Sequence, residues 1–396
     1  MKIAFVALPR QEDVHSSRFA PPLPLGYVAA MLEQRRHIVR VYDLALSEGA
    51  IAAVLAPLRS FRPHLTVIAA STASEAASVD AVLAGLNTHV MWLGTALRDG
   101  SIAQAISQAL WQVDDHVAYA NEQSVIFEAL LALDDNIDAM PFPARHLLSL
   151  EQYPLFTLEG ELQTTVLVAQ QLSASYTAVR NPANIVAEVQ SVMREHGIRH
   201  FVFAGAPVTQ NLVWLNDLLQ QLVVADLGMQ WEASVGYSDV TPELVKRLQQ
   251  VGCESICFEL VAGDVLISRE KRAVLSAAAQ LVRTQHLGVR ADIQLDQPYS
   301  LMPSLIDVSA TLGLDTAHFH VQRNLLNNER MSIDGVSLED IAEMARTRYR
   351  SSRSRQFFVD RFGAQLGPML WRVGRAGLLG RTWQHYADGD EKVLAL

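Results

Sequence analysis

The chain has 396 residues, a formal charge of −10 and only two cysteines, Cys253 and Cys257. Half of its residues are apolar, enough for large cores and against wholesale disorder. Two thiols exclude a disulfide-built fold and any zinc or iron–sulfur site that needs three or four thiolates from this chain. The acidic balance argues against nucleic acid as the main partner.

Apolar runs alternate with helix-like stretches from the start. Strands are expected at residues 1–8, 39–44, 65–71, 90–94 and 117–120. Helices are expected at 25–34, 51–59, from 72 to about 86, at 103–110 and at 124–133. Runs that are apolar throughout, rather than alternating, fit strands covered on both faces. Residues 1–134 therefore read as a doubly wound α/β domain. Residues 135–163 read as a linker, with the helix-hostile MPFPAR at 140–145. A second series follows over 164–325, with strands at 165–169, 200–204, 230–234, 255–260, 290–295 and 318–321. Helices at 185–196, 212–222, 242–251, 273–287 and 302–312 fill the gaps. Six βα units of one rhythm predict a partial or closed parallel barrel.

Residues 326–396 read as a helical, arginine-rich extension. Nine arginines, no lysine and one acid, Asp360, fall between Met344 and Tyr386. This local excess of eight positive charges leaves the rest of the chain near −18. A basic amphipathic helix of this kind docks on a membrane surface or a partner protein. The plainer expectation is that its apolar stripe packs on the barrel and its arginines pair with the acidic body. The opening MKIAFVALP is too short in its apolar run for a signal peptide, and no run of eighteen apolar residues occurs. A soluble cytoplasmic protein with no transmembrane segment is expected.

Four collinear segments carry a family resemblance. They are PPLPLGYVAAMLEQRRHIVRVYDL at 21–44, DNIDAMPFPARHLLSLEQY at 135–153, RNPANIVAEVQSVMREHGIRHFVFAGAPVTQN at 180–211 and WEASVGYSDVTPELVKRLQQVGCESICFEL at 231–260. Over roughly residues 1–325 the chain resembles the cobalamin-binding radical-SAM enzymes, many of which are methyltransferases. The resemblance implies an N-terminal Rossmann-like, cobalamin-binding-type domain followed by a radical-SAM-like (β/α)6 partial barrel.

The chemistry residues of that family match less well. The family carries C-x-x-x-C-x-x-C after its first barrel strand, where three thiolates hold an iron–sulfur cluster that binds SAM. Here that region reads TTVLVAQQLSASYTAVR, 164–180, without a cysteine. Gln170, Gln171, Ser173 and Ser175 are poor iron ligands. Cys253 and Cys257 form C-x-x-x-C elsewhere, at a helix end and within the next strand, and read as buried small apolar residues. The family's SAM-contacting positions align with Gly236, Glu259 and Val261, Asp296, Pro298 and Tyr299, and Gly205 and Ala206. An iron–sulfur cluster, radical cleavage of SAM and any other metal site are therefore not expected, and SAM binding is doubtful. No D-x-H-x-x-G occurs, so a histidine ligand to cobalamin is not indicated. The resemblance places possible cobalamin contacts at Ser71, Thr72, Gly94, Thr95, Asn121 and Glu122. The glycine-rich runs that lie there in the family, where backbone approaches the corrin closely, are thinned to Gly94 alone.

Other candidates come from the residues themselves. Glu232, Glu259, Asp292 and Asp296 sit on barrel strands or their ends, where carboxylates serve acid–base chemistry or merely cap helices. His318 and His320 in AHFHVQR share one face of a strand, near Gln322 and Arg323. The expected arrangement puts Phe319 and Val321 inside the barrel and both histidines outside. His15, Ser16 and Ser17 follow the first strand, in a loop of the kind that carries function. These features lead to two readings. One is a divergent enzyme without radical chemistry that binds cobalamin or another small molecule, with methyl transfer in a specialised biosynthetic pathway as its reaction. The other is a non-catalytic pseudoenzyme that supports a catalytic partner through the arginine-rich C-terminus. A ligand sensor is a third, weaker reading.

Overall fold

The computed structural model describes residues 1–8, 20–47, 52–69, 88–93, 126, 136–153, 155–157, 160–173, 176–261, 263, 265, 268–295, 299–321, 332–333, 336–376 and 378. They fall into two compact units. The first comprises Met1–Leu155, Leu162–Ile198 and Ala204–Ala206, and the second comprises Phe156–Glu161, Arg199–Phe203 and Pro207–Leu396. No helix among the described residues is long and apolar enough to cross a membrane.

The first unit opens with a parallel sheet of β1 (Lys2–Ala7), β2 (Ile38–Asp43), β3 (Leu65–Ala69) and β4 (His89–Leu93), ordered β2-β1-β3-β4. Alternate residues of β1 serve two separate cores. Ile3, Phe5 and Ala7 pack with Leu25, Val28 and Leu32 of α1 (Leu23–Gln34). Ala4 and Val6 pack with Val54, Leu58 and Phe61 of α2 (Ala52–Phe61). Coverage on both faces explains why these strands read as continuous apolar runs. The order reverses at β1, whose neighbours are β2 and β3. In such sheets ligands bind outside the carboxyl ends of the strands at this reversal. The elements expected at 72–86, 103–110, 117–120 and 124–133 lie outside the described residues, apart from buried, helical Ile126.

The same unit contains β5 (Gln163–Leu167), β6 (Ala169–Ser173), β7 (Tyr176–Val179) and α3 (Pro182–His196). Strands β6 and β7 form an antiparallel hairpin, with Ala169 opposite Val179, Gln170 opposite Ala178 and Gln171 opposite Thr177. Sequence periodicity predicts one strand at 165–169 and a loop after it, so the hairpin is an addition. Helix α3 starts where Asn181 accepts from the Ala183 N–H at 2.9 Å with Pro182 at the first position, and it ends at left-handed Gly197.

The second unit carries β8 (His200–Ala204), β9 (Gln230–Ser234), β10 (Cys253–Val261), β11 (Gly288–Leu295) and β12 (Thr316–Val321), hydrogen-bonded in that order. Its helices are α4 (Leu212–Ala225), α5 (Pro242–Gln250), α6 (Arg269–Thr284), α7 (Met302–Ser309) and α8 (Leu338–Arg375). Asn211, Thr241 and Ser268 cap α4, α5 and α6 through the backbone N–H of Trp214, Leu244 and Lys271. Helix α8 breaks at Gly363, where φ is +82°. Its first arm is held by Arg348, whose Nε and Nη2 lie 2.9 and 2.5 Å from the Asp307 carboxylate of α7. Ala345 and Tyr349 pack there on Ile306 and Ala310. The chain is thus an α/β protein with a doubly wound domain, a parallel partial barrel and a helical C-terminal extension.

Candidate functional site

Strand register sorts the second unit's sheet into two chemically different faces. Phe258, Ala291 and Ala317 are in register, as are Leu260, Ile293 and Phe319. Phe319 meets Tyr349 of α8 edge-on, with centroids 5.6 Å apart, so this apolar face is the one the helices cover. The alternate positions are polar. Cys257, Arg290 and Thr316 form one row and Glu259, Asp292 and His318 the next. Val261, Gln294 and His320 continue the register toward the carboxyl ends of the strands. Neighbouring positions in a row are about 4.8 Å apart at the backbone. Parallel βα sheets hold their ligands at this end. The expected orientation is therefore reversed: Phe319 turns to the helices, and His318 lies on the polar face with Asp292 and Glu259. Phe319 finds its apolar partner in a C-terminal helix that strand alternation alone does not reveal.

Glu232 belongs to the same polar face and is already engaged. Its Oε2 lies 2.7 Å from Arg290 Nε and accepts from Ser255 Oγ at 2.6 Å. Arg290 Nη2 also donates to the Phe156 carbonyl at 3.3 Å. Glu232 and Arg290 are 2% and 4% exposed. Glu232 is therefore a buried anchor of the face, whereas Glu259 is exposed and Asp292 and His318 are half-buried. Among the described residues, no group of three or more histidines, cysteines and carboxylates is arranged to hold a metal ion.

Both cysteines lie on β10, Cys253 as its first residue, and neither is in a disulfide. The register slips between Cys253 and Ser255, so Cys253 pairs with Trp231 and Cys257 with Ser234. Burial pushes the Cys253 thiol up, and the Glu232 and Glu254 carboxylates add to this. A high thiol pKa leaves little thiolate to react. Titration of the native protein with a disulfide reagent is expected to be slow at both buried thiols and to count two thiols promptly after denaturation. Rapid stoichiometric reaction of the folded chain would contradict the burial.

The cysteine-free segment singled out in the sequence, 164–180, contains the β6–β7 hairpin of the first unit. Arg180 closes its base. The Arg180 N–H donates to the Val168 carbonyl at 3.0 Å, and Arg180 Nη1 donates to the Leu167 carbonyl at 2.8 Å. Its guanidinium also lies 2.6 Å from Glu188 Oε2. The second oxygen of Glu188 accepts from Arg145 Nη2 at 2.5 Å, and Arg145 donates again to the Thr165 carbonyl at 2.7 Å. Tyr27 of α1 donates to Glu188 at 3.1 Å. Glu188 is fully buried, and Arg145 and Arg180 are each 3% exposed. Burial alone would raise the Glu188 pKa, but the two guanidiniums hold it below the usual carboxylate range. Burial, reinforced by Glu188, pushes the Tyr27 hydroxyl up, so it stays a donor.

This cluster was not among the expected site residues. One signal was present in the sequence: Glu188 sits on the same helical stripe as Ile185, Val189 and Val192, all buried. Arg145 opens a single 3-10 turn and Arg180 lies between β7 and α3, and neither position gave a signal. Ser71, Thr72, Gly94, Thr95, Asn121, Glu122, Asp296, His15, Ser16, Ser17, Gln322 and Arg323 lie outside the described residues.

No protein-family model and no curated protein matches this sequence. Solved structures do match. One is the radical S-adenosylmethionine methyltransferase TsrM from Kitasatospora setae, with cobalamin and a 4Fe–4S cluster bound. It shares 12% identity, and the alignment covers 99% of this chain and 98% of that one at a TM-score of 0.53. TsrM with its tryptophan substrate and a SAM analogue matches at a TM-score of 0.52 and 12% identity, over 80% of this chain and 72% of that one. Likeness at this identity shows the fold, a Rossmann-like domain joined to a radical-SAM-like barrel.

Proposed function

We propose that this chain keeps the architecture of a cobalamin-binding radical-SAM enzyme but works without the iron–sulfur cluster, as a small-molecule-binding enzyme of polar, non-radical chemistry. The observation that carries the reading is the cysteine-free hairpin over 169–179, closed at its base by Arg180. Radical cleavage of SAM needs an electron delivered through a cluster. The family holds that cluster with three thiolates in this segment, and here the segment has none. Cys253 and Cys257 are too few and are buried in β10. The residues present do not fit a cluster, and no step is assigned to one.

The reaction site in this reading is the polar row at the carboxyl ends of β10–β12. His318 is the proton acceptor, Asp292 its neighbour in register, and Glu259 the exposed carboxylate at the edge. Methyl transfer to a nucleophilic substrate atom is the reaction class proposed. The substrate atom attacks the methyl carbon, the donor's leaving group departs with the bonding pair, and the substrate proton passes to the imidazole. The reading also takes cobalamin as the leading ligand of the first unit. The described residues at the reversal of that sheet, Ala7, Leu8 and Ala69, are buried and apolar and offer no ligand atom to a metal, so no step is assigned to a corrin.

The direct test is anaerobic incubation with SAM and a strong reductant. No 5′-deoxyadenosine above the protein-free control is expected. Enzyme-dependent 5′-deoxyadenosine formation would overturn the reading.

A further inference from the structure

Helix α8 turns back on itself, and its second arm keeps one face that the first arm does not cover. Gly363 is the break, with φ at +82°. Beyond it the second arm packs on the first along Gly367 and Gly374, both buried. A Cβ at Gly367 would stand 2.6 Å from the Phe358 carbonyl oxygen, so glycine is what lets the two arms approach. Trp371 Nε1 donates to the buried Ser354 Oγ at 3.0 Å, and the Arg375 guanidinium lies 5.2 Å from the Trp371 ring centroid. Helical spacing puts Leu366, Met369 and Val373 together on the other side of the arm. Leu366 and Met369 are 55% and 52% exposed, and Val373 is half-buried. Arg361 at the turn and Arg372 and Arg375 along the arm are all exposed. From Arg361 to Tyr386 the sequence has four arginines and no carboxylate. Asp360, just before this stretch, accepts from Gln356 at 2.7 Å.

We infer that this arm docks reversibly on an anionic phospholipid bilayer. It lies flat on the surface, with Leu366, Met369 and Val373 toward the acyl boundary and the arginines among the headgroup phosphates. Charge complementarity selects this occupant. A guanidinium donates in pairs to phosphate oxygens, and its long stem follows the apolar stripe while the charge stays in the headgroup layer. The flexible ends of leucine and methionine enter fluid acyl chains without needing a shaped pocket. Outside the arginine-rich stretch the chain is near −18 and is repelled by an anionic surface, so the arm is the part turned toward it.

Size favours lipid over a protein partner. The arm is about 18 Å long, too short to supply the roughly 800 Å² per partner of a stable protein interface. Binding to a bilayer has no such threshold and grows with each apolar side chain inserted and each cation at the surface.

Docking of this kind is independent of the proposed chemistry. The full chain is expected to co-sediment with vesicles of phosphatidylcholine mixed with an equal part of phosphatidylglycerol, and to stay in solution with vesicles of phosphatidylcholine alone. Raising the salt should release it, because the attraction is screened. Each arginine at an anionic surface counts for about fivefold in binding, so Arg361→Gln/Arg372→Gln should bind about 25-fold more weakly. Leu366→Ser/Met369→Ser keeps the charge and should bind about tenfold more weakly, through lost apolar insertion. All four positions are exposed, so both variants should melt at the wild-type temperature. Equal binding to the two kinds of vesicle, binding to neither, or either variant binding like wild type would overturn the inference. A chain that ignores the anionic vesicles but binds polyglutamate would assign the surface to an acidic protein and overturn it as well.

Discussion

Substituting alanine for Glu188 is expected to lower the stability of the first unit by about 3–5 kcal/mol, the cost of breaking a buried ion pair from one side. The carboxylate balances Arg145 and Arg180 together. Its removal leaves two desolvated guanidiniums facing each other and the Tyr27 hydroxyl without its acceptor. Tyr27→Phe removes the hydrogen bond donated to Glu188 and the one accepted from Arg180 Nη1, and should cost about 1.5–3 kcal/mol. The cluster also sets an acid limit. The folded pKa of Glu188 is lowered, so its stabilisation is complete above the unfolded value of about 4.3. That stabilisation is lost as pH falls through the lower, folded value. Denaturant unfolding followed from pH 7 downward should show wild-type stability falling in this acid window. The Glu188→Ala variant should lose that component of the slope. Equal stability of the two proteins at neutral pH would contradict the role of the cluster.

Replacing Arg290 with leucine is the second large effect. It leaves Glu232, 2% exposed, with the Ser255 hydroxyl and without its guanidinium. About 3–5 kcal/mol should be lost near neutral pH. The pH trend should run opposite to that of Glu188. A buried carboxylate that has lost its guanidinium partner is pushed by desolvation above its unfolded value. The folded variant then binds more protons than the unfolded chain, so its stability falls as pH rises through that window. The variant should therefore be closer to wild type at pH 5 than at pH 7.5, as measured by chemical denaturation at each pH. A uniform deficit at both would mean that lost packing, rather than the stranded charge, accounts for the loss.

Sequence patterning carried the frame because burial on both faces writes itself into composition. Strands β8 and β9 have the limits that their apolar runs predict, 200–204 and 230–234. The hairpin was illegible because AQQLS and YTAV have neither an apolar run nor clear alternation. Their pairing with each other is what makes them strands. Part of the site was legible as residue types: Glu232, Glu259, Asp292 and His318 all fall on one sheet face. Their orientation was not, because HFHV alternates equally well either way, and the choice depends on Tyr349, 30 positions further along the chain. The Glu188 cluster draws on α1, the 136–153 segment and α3. Contacts so distant in sequence leave only the trace of an acid on an apolar stripe.

The central claim is that the scaffold of a radical-SAM enzyme here operates without a cluster. The most direct measurement is anaerobic purification with cobalamin, iron and sulfide supplied, followed by the ultraviolet–visible spectrum and by iron and sulfide content per chain. Iron and sulfide far below stoichiometric, with no charge-transfer absorption of a cluster, is the predicted result, and a corrin spectrum on that background would identify the ligand of the first unit. Stoichiometric iron and acid-labile sulfide bound to the folded chain would contradict the account.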